Sequence, residues 1–252
     1  MELLKTENLS IDFGGLRAVN NLNMEINEGE LVGLIGPNGA GKTSVFNLLT
    51  GVYKPTEGSI KISGVNTFNL KTNKIVELGI SRTFQNIRIY KQLSVLDNVR
   101  ISLDQKENYS TLAAIFRTKK FRNMESELTK KALEYLRMFD LESMANNRAD
   151  SLSYGNQRKL EIARALACNP KLLLLDEPAA GMNPNETQEL MEIIRNIRDN
   201  MGISILLIEH DMDLVMGICE RLYVLNFGEI IAKGNPLEIQ NNPEVIKAYL
   251  GD

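Results

Sequence analysis

The amino-acid sequence predicts an α/β protein: a parallel core, an antiparallel β-subdomain at the N-terminal side, and an inserted α-helical subdomain. Three observations carry that prediction. Leu31–Ile35 is a continuous apolar run, as in a strand buried on both faces, and it leads through a glycine-rich loop into a helix. Two more apolar runs, Leu172–Leu175 and Ile203–Ile208, alternate with helical segments, which is the pattern of parallel strands joined by crossovers. From about Asn86 to Ala149 the pattern changes, with no strand-like run and helical spacing instead.

The first thirty residues alternate loosely at Leu9, Ile11 and Phe13, then at Leu22, Met24 and Ile26, and read as antiparallel strands with a turn at Glu28-Gly29. After the loop a helix is expected from about Lys42 to Thr50, and a short strand over Ser59–Ser63 after a turn at Glu57-Gly58. In the insertion, Leu128, Ala132, Tyr135, Leu136 and Phe139 lie at helical spacing. The basic run Thr118–Arg122 reads as a solvated loop or helix end rather than a lipid contact. Ser153 is placed to cap a helix reaching Cys168. Asn185–Met201 carries Leu190, Ile193, Ile194 and Ile197 on one face and is stopped by Gly202. Tyr223–Leu225 and Ile230–Ala232 flank Phe227-Gly228 as a hairpin, and an amphipathic helix covers Pro243–Leu250.

Composition narrows the function classes. The 252 residues carry 29 Lys+Arg against 32 Asp+Glu, so no basic footprint for nucleic acid is expected. The start MELLKTENLSIDFGG has no basic region followed by an apolar stretch, and no apolar run approaches the ~20 residues of a membrane helix. A membrane role would come through a partner. Cys168 and Cys219 form no Cys-x-x-Cys pattern and read as reduced thiols of a cytoplasmic protein.

The loop Gly36-Pro37-Asn38-Gly39-Ala40-Gly41-Lys42-Thr43 fits G-x-x-x-x-G-K-S/T between a buried strand and a helix. Glycines let backbone N–H groups curl round phosphates, and the helix N-terminus adds a favourable field. Lys42 can reach β- and γ-phosphates, and the Thr43 hydroxyl is a hard ligand for Mg²⁺. The pattern marks a nucleoside triphosphate site. Lys171–Pro178 then reads as a buried strand ending in two acids. Asp176 emerges at the carboxyl end of its strand, where open α/β sheets bind ligands, and is placed to hold Mg²⁺ through water. Glu177 diverges from it and can serve as general base toward the water that attacks the γ-phosphate.

Leu152-Ser153-Tyr154-Gly155-Asn156-Gln157 and the helix after it, just upstream of those acids, resemble the signature motif of ATP-binding cassette (ABC) ATPases, usually LSGGQ. The resemblance runs nearly end to end. FGGLRAV at 13–19, RTFQNIRIY at 82–90, DEPAAGMNP at 176–184 and the tail from Phe227 are most similar to the larger ATPase of high-affinity branched-chain amino acid importers.

The resemblance implies a P-loop NTPase (RecA-like) core and the ABC ATPase fold. In that single domain, residues 1–86 and 160–252 would form the core with its β-subdomain, and 87–159 the helical signature subdomain. It also implies ATP and Mg²⁺ as ligands. Gln85 would be a hinge amide meeting metal or water, His210 would contact the γ-phosphate, and Phe13 would stack on adenine. Gly36, Asn38, Gly39, Ala40, Gly41, Lys42, Thr43 and Ser44 would bind the nucleotide. Ser153, Gly155 and Gln157 would cover the ATP of a second ATPase subunit, in a homo- or heterodimer. Thr43, Gln85 and Asp176 would face the metal; Glu177, His210 and Gln85 would be catalytic. Two positions depart from the family pattern: Tyr154 replaces the first signature glycine, and Asn183 stands where many relatives carry aspartate.

The implied function is ATP hydrolysis powering import of branched-chain or other hydrophobic amino acids, with permease subunits and an extracytoplasmic binding protein as partners and the cytoplasmic membrane face as location. Related ATPases of urea or amide import and of lipopolysaccharide export remain alternatives. A soluble ABC ATPase of DNA repair or translation would carry two cassettes or long coiled coils, which this chain lacks. A GTPase would need the Asn-Lys-x-Asp motif, which does not occur.

Overall fold

A computed structural model of the chain describes residues 1–103 and 118–250. The part of the expected helical insertion at 104–117 lies outside the described residues. Two long strands, β1 (Glu2–Phe13) and β2 (Leu16–Asn27), pair antiparallel and reverse at Gly14-Gly15. The turn at Glu28-Gly29 leads instead into β3 (Leu31–Ile35), which belongs to a different sheet. Helix α1 (Lys42–Leu49) follows the glycine-rich loop. Strand β4 (Glu57–Ile62) begins ahead of the expected position because Glu57 pairs with Ser10 of β1. The short β5 (Val65–Asn66) completes a four-stranded antiparallel sheet in the order β2-β1-β4-β5.

Helix α2 (Thr72–Glu77) and strand β6 (Ile80–Arg82) precede the helical stretch. That stretch holds α3 (Val95–Leu103), α4 (Lys119–Met138) and α5 (Tyr154–Ala167). The chain continues with β7 (Leu172–Asp176), α6 (Pro184–Met201), β8 (Ser204–Ile208), α7 (Met212–Ile218), β9 (Arg221–Asn226), β10 (Glu229–Gly234), α8 (Pro236–Gln240) and α9 (Pro243–Leu250). The second sheet has the order β10-β9-β3-β8-β7-β6, parallel except for the terminal β9–β10 hairpin. Every residue of β3, β7 and β8 is buried, which is why these strands read as unbroken apolar runs.

Two compact units emerge from the contacts. The first comprises Met1–Gln85, Lys171–Ala180 and Pro184–Asp252; the second comprises Asn86–Pro170 and Gly181–Asn183. This division keeps the whole of α5 in the helical unit, whereas the sequence expectation returned to the core at 160. The reason is packing, since α5 lies against α3 and α4. In the first unit, Leu34 of β3, Phe46 of α1, Leu174 of β7 and Leu206 of β8 share one core with Leu4, Leu22 and Ile60 of the antiparallel sheet. In the second unit the buried Asn98 amide donates to Tyr90 O and Ser94 O at 3.0 Å each and accepts from Tyr90 N at 2.8 Å. This ties the end of the RTFQNIRIY stretch to α3.

No disulfide joins Cys168 and Cys219. Burial pushes the Cys219 thiol up to about 12, so it holds almost no reactive thiolate near neutrality. Titration of the native protein with Ellman's reagent at pH 8 is therefore expected to report at most one thiol, and two after denaturation. Rapid reaction of both in the native state would contradict this burial.

Candidate functional site

The glycine-rich loop is shaped by backbone conformations that side chains resist. Gly36, Gly39 and Gly41 have φ of 151°, 82° and 106°. At Gly36 a Cβ would lie 2.0 Å from Leu225 O, so the loop runs too close to β9 for any other residue. Helix α1 has no side-chain N-cap and no acid in its first turn. Its first N–H groups therefore remain directed at whatever anion the loop holds. Lys42 is buried and its Nζ donates to Gly36 O at 2.7 Å and Pro37 O at 3.0 Å. Burial lowers its pKa from the ordinary lysine value, and the charges of Glu177 and Asp176 pull it back up.

A cavity of about 440 Å³ opens on this loop. Asn38, Gly39, Ala40, Gly41, Lys42, Thr43 and Ser44 line it together with Gln85 and Glu177. Thus nine of the residues singled out from sequence face one space. Phe13 is not among them: its ring sits edge-on to Tyr53, with centroids 5.1 Å apart and planes at 71°. Leu16, Arg17, Ala18 and Phe227 complete the lining. Sequence reading missed these four. The Gly14-Gly15 reversal, which pairs Leu16 with Phe13, is the signal that could have found Leu16.

Both acids lie where β7 ends. Asp176 is 2% exposed, and Glu177 follows with φ of 48°, a left-handed conformation that glutamate seldom adopts. The turn is held by the Glu177 N–H donating to Ile208 O at 2.9 Å. The two carboxylates have different partners, Asp176 accepting from Arg82 and Glu177 from Gln85. Gln85 Nε2 donates to Glu177 Oε2 at 3.0 Å, and His210 Nδ1 lies 3.9 Å from Glu177 Oε1. The His210 side chain is 64% exposed, so it is available to a ligand.

Beneath His210 the buried Glu209 carboxylate accepts backbone N–H groups from Ala179 at 2.8 Å and His210 at 3.1 Å. Burial raises its pKa from the ordinary carboxylate value, while those N–H groups oppose the rise. Glu209 thereby links the loop after Glu177 to the loop carrying His210, a connection that was not legible beforehand.

In the helical unit Ser153 caps α5, its Oγ accepting from Asn156 N at 3.3 Å. Gln157 turns back to donate to Leu152 O at 3.0 Å. The Tyr154 hydroxyl accepts from Arg158 at 3.1 Å, and its ring would lie 3.0 Å from a Cβ added to Gly181. Tyr154 therefore fills a space that only a glycine at 181 leaves open, and it ties the start of α5 to the Gly181–Asn183 segment within this unit.

Thr43 and Gln85 line the cavity, and Asp176 ends the strand beside Glu177. These oxygen donors suit Mg²⁺. Among the described residues no group of three or more His, Cys, Asp or Glu could hold a metal unaided. A cation here would share its coordination with nucleotide phosphates. Also among the described residues, no helix is long and apolar enough to cross a membrane.

The chain is similar over nearly its whole length to known proteins. An ABC transporter family model matches residues 19–180, and a model of the branched-chain amino acid ATP-binding cassette transporter matches 229–252. The chain is 48% identical over 250 residues to the high-affinity branched-chain amino acid transport ATP-binding protein LivG of Salmonella typhimurium, covering 99% of this chain and 98% of that one. It is 45% identical, with the same coverage, to the corresponding protein BraF of Pseudomonas aeruginosa. Among solved structures, the ADP conformation of MJ1267, an ATP-binding cassette of an ABC transporter, matches with a TM-score of 0.86 and 33% identity over the full length of both chains.

Proposed function

The chain belongs to the ABC transporter family of ATP-binding cassettes, and from that premise we propose that it is the ATP-hydrolysing subunit of a branched-chain amino acid importer. It binds ATP and hydrolyses it, as ABC ATPases do. One observation carries the assignment of the reaction to this site: a single cavity gathers the phosphate loop, Lys42, Thr43, Gln85 and Glu177.

The roles follow from the chemistry. Phosphoryl transfer is accelerated mainly by positioning and charge stabilisation. Lys42 leaves the Gly36 and Pro37 carbonyls for the β- and γ-phosphate oxygens, and the α1 N–H groups add to its pull. Glu177 takes the proton of the attacking water, Gln85 holds the carboxylate in place, and His210 meets the γ-phosphate from its exposed position. Thr43, Gln85 and Asp176 would hold Mg²⁺, which would supply positive charge to neutralise the charge that develops during phosphoryl transfer.

The capped end of α5 is a second anion site, built from Ser153 and Gly155. With one phosphate loop and one capped segment per chain, we place Ser153, Gly155 and Gln157 against the ATP of a second ATPase subunit. The γ-phosphate then holds two subunits together, and its hydrolysis releases them. Permease subunits would take up that motion, with an extracytoplasmic binding protein delivering the amino acid. The ATPase would sit at the cytoplasmic membrane face through the permeases. Identity of 45% and 48% over nearly the full length to high-affinity branched-chain amino acid transport ATP-binding proteins supports this substrate class. A strain lacking the gene should lose high-affinity uptake of radiolabelled leucine and regain it with the wild-type chain but not with Glu177→Gln. Undiminished leucine uptake in the deletion strain would contradict the importer reading.

A further inference from the structure

Arg82 ends β6, the strand that runs on to Gln85, and none of the roles above uses it. Its side chain is only 7% exposed, and Nη2 donates to Asp176 Oδ2 at 2.7 Å. Nη1 donates to Asn47 Oδ1 of α1, also at 2.7 Å. The guanidinium lies 5.3 Å from the centre of the Phe46 ring and 5.1 Å from that of Phe84. Beside it, Thr83 Oγ1 accepts the Asp176 N–H at 3.2 Å.

A carboxylate this deep needs a counter-charge. A planar fork between two rings holds that charge in one orientation, which a lysine could not do. A purely structural ion pair would account for the burial. It would not account for the choice of partners. Arg82 joins the helix that carries Thr43, the strand that ends at Asp176 and the segment that carries Gln85, so it touches all three elements bearing the proposed metal ligands.

We infer that Arg82 is a positioning residue for the cation of the nucleotide site, gripping Asp176 Oδ2 and so fixing the orientation of the carboxylate that would face the metal. The inference rests on the Mg²⁺ reading above. It also means that any shift of the Gln85 segment is transmitted to Asp176 through Arg82 and Thr83.

The test measures Mn²⁺ affinity by electron paramagnetic resonance in the Glu177→Gln protein with ATP, alongside ATP affinity in EDTA. Loss of an orienting partner typically weakens metal binding by about 10–100-fold. Arg82→Met is expected to weaken Mn²⁺ binding at the lower end of that range, about tenfold, and to leave ATP affinity in EDTA within about twofold. Should Arg82→Met not fold, Arg82→Lys carries the same test, with a loss of about threefold because the charge stays but the fork is lost. In Asp176→Asn, adding Arg82→Met should cost no further metal affinity. Unchanged Mn²⁺ binding in a folded Arg82 variant, or an equal loss in EDTA, would overturn the inference. If Asp176→Asn itself binds Mn²⁺ normally, the metal reading beneath it fails instead.

Discussion

Glu177→Gln is expected to lower steady-state ATP hydrolysis by about 10²–10⁴-fold, the usual contribution of a general base. ATP affinity should stay within a few-fold. Glutamine keeps the length and shape of the side chain and can occupy the same left-handed position, whose N–H is held by Ile208 O. The amide can still meet Gln85, which now donates to Glu177 Oε2 at 3.0 Å. What it cannot do is accept a proton from water. Phosphate release and fluorescent-ATP binding on the same preparation separate the two properties. A variant that keeps more than a tenth of wild-type turnover would remove Glu177 from its assigned role.

Lys42→Met should instead weaken binding. Its ammonium sits on the Gly36 and Pro37 carbonyls within a buried setting, ready to exchange them for phosphate oxygens. A hydrogen bond to a charged group contributes about 1.5–3 kcal/mol, so ATP affinity is expected to fall by about 10–100-fold, each factor of ten being about 1.4 kcal/mol. Methionine retains the aliphatic stem, so the fold should be kept. Thermal unfolding without nucleotide should then shift little, while the stabilisation by saturating ATP falls by about 1.4–2.8 kcal/mol. ATP binding at wild-type affinity would contradict the arrangement.

The two variants differ because the groups act on different states. Lys42 meets charge already present on bound ATP, so its loss is read in affinity. Glu177 acts on a proton that moves only as the reaction proceeds, so its loss is read in rate.

Much of the core was legible because its strands are buried on both faces. Leu31–Ile35 and Leu172–Leu175 could hardly be anything else, and the glycine loop between a strand and a helix carries its own geometry. Strand β6 was not legible: three residues give no periodicity, and its last residue is an arginine, a type usually found in water. The buried Arg82–Asp176 pair depends on elements far apart in sequence, and so does the Glu209 link to Ala179. Local pattern reports neither. Tyr154 could be recognised as a departure, but its reason, the space beside Gly181, lies in the packing.

The surroundings of Phe13 show the same limit. An aromatic at position 13 was legible from the FGGL stretch, yet its edge-on contact with Tyr53 and the Leu16–Ala18 wall follow from how β1 and β2 turn at Gly14-Gly15. The tie between Asn98 and the Tyr90 backbone is likewise a matter of three-dimensional neighbours, since a buried asparagine inside α3 gives no sign in sequence of what it binds.

In the proposed mechanism, hydrolysis coupled to transport depends on one triphosphate bridging two ATPase subunits. Electron cryo-microscopy of the whole transporter carrying Glu177→Gln, purified with its partners in ATP and Mg²⁺, tests this most directly. The account predicts γ-phosphate density touching Lys42 of one subunit and the capped helix of the other. Nucleotide enclosed by a single subunit, with the Ser153–Gly155 segment of both remote from any phosphate, would contradict it.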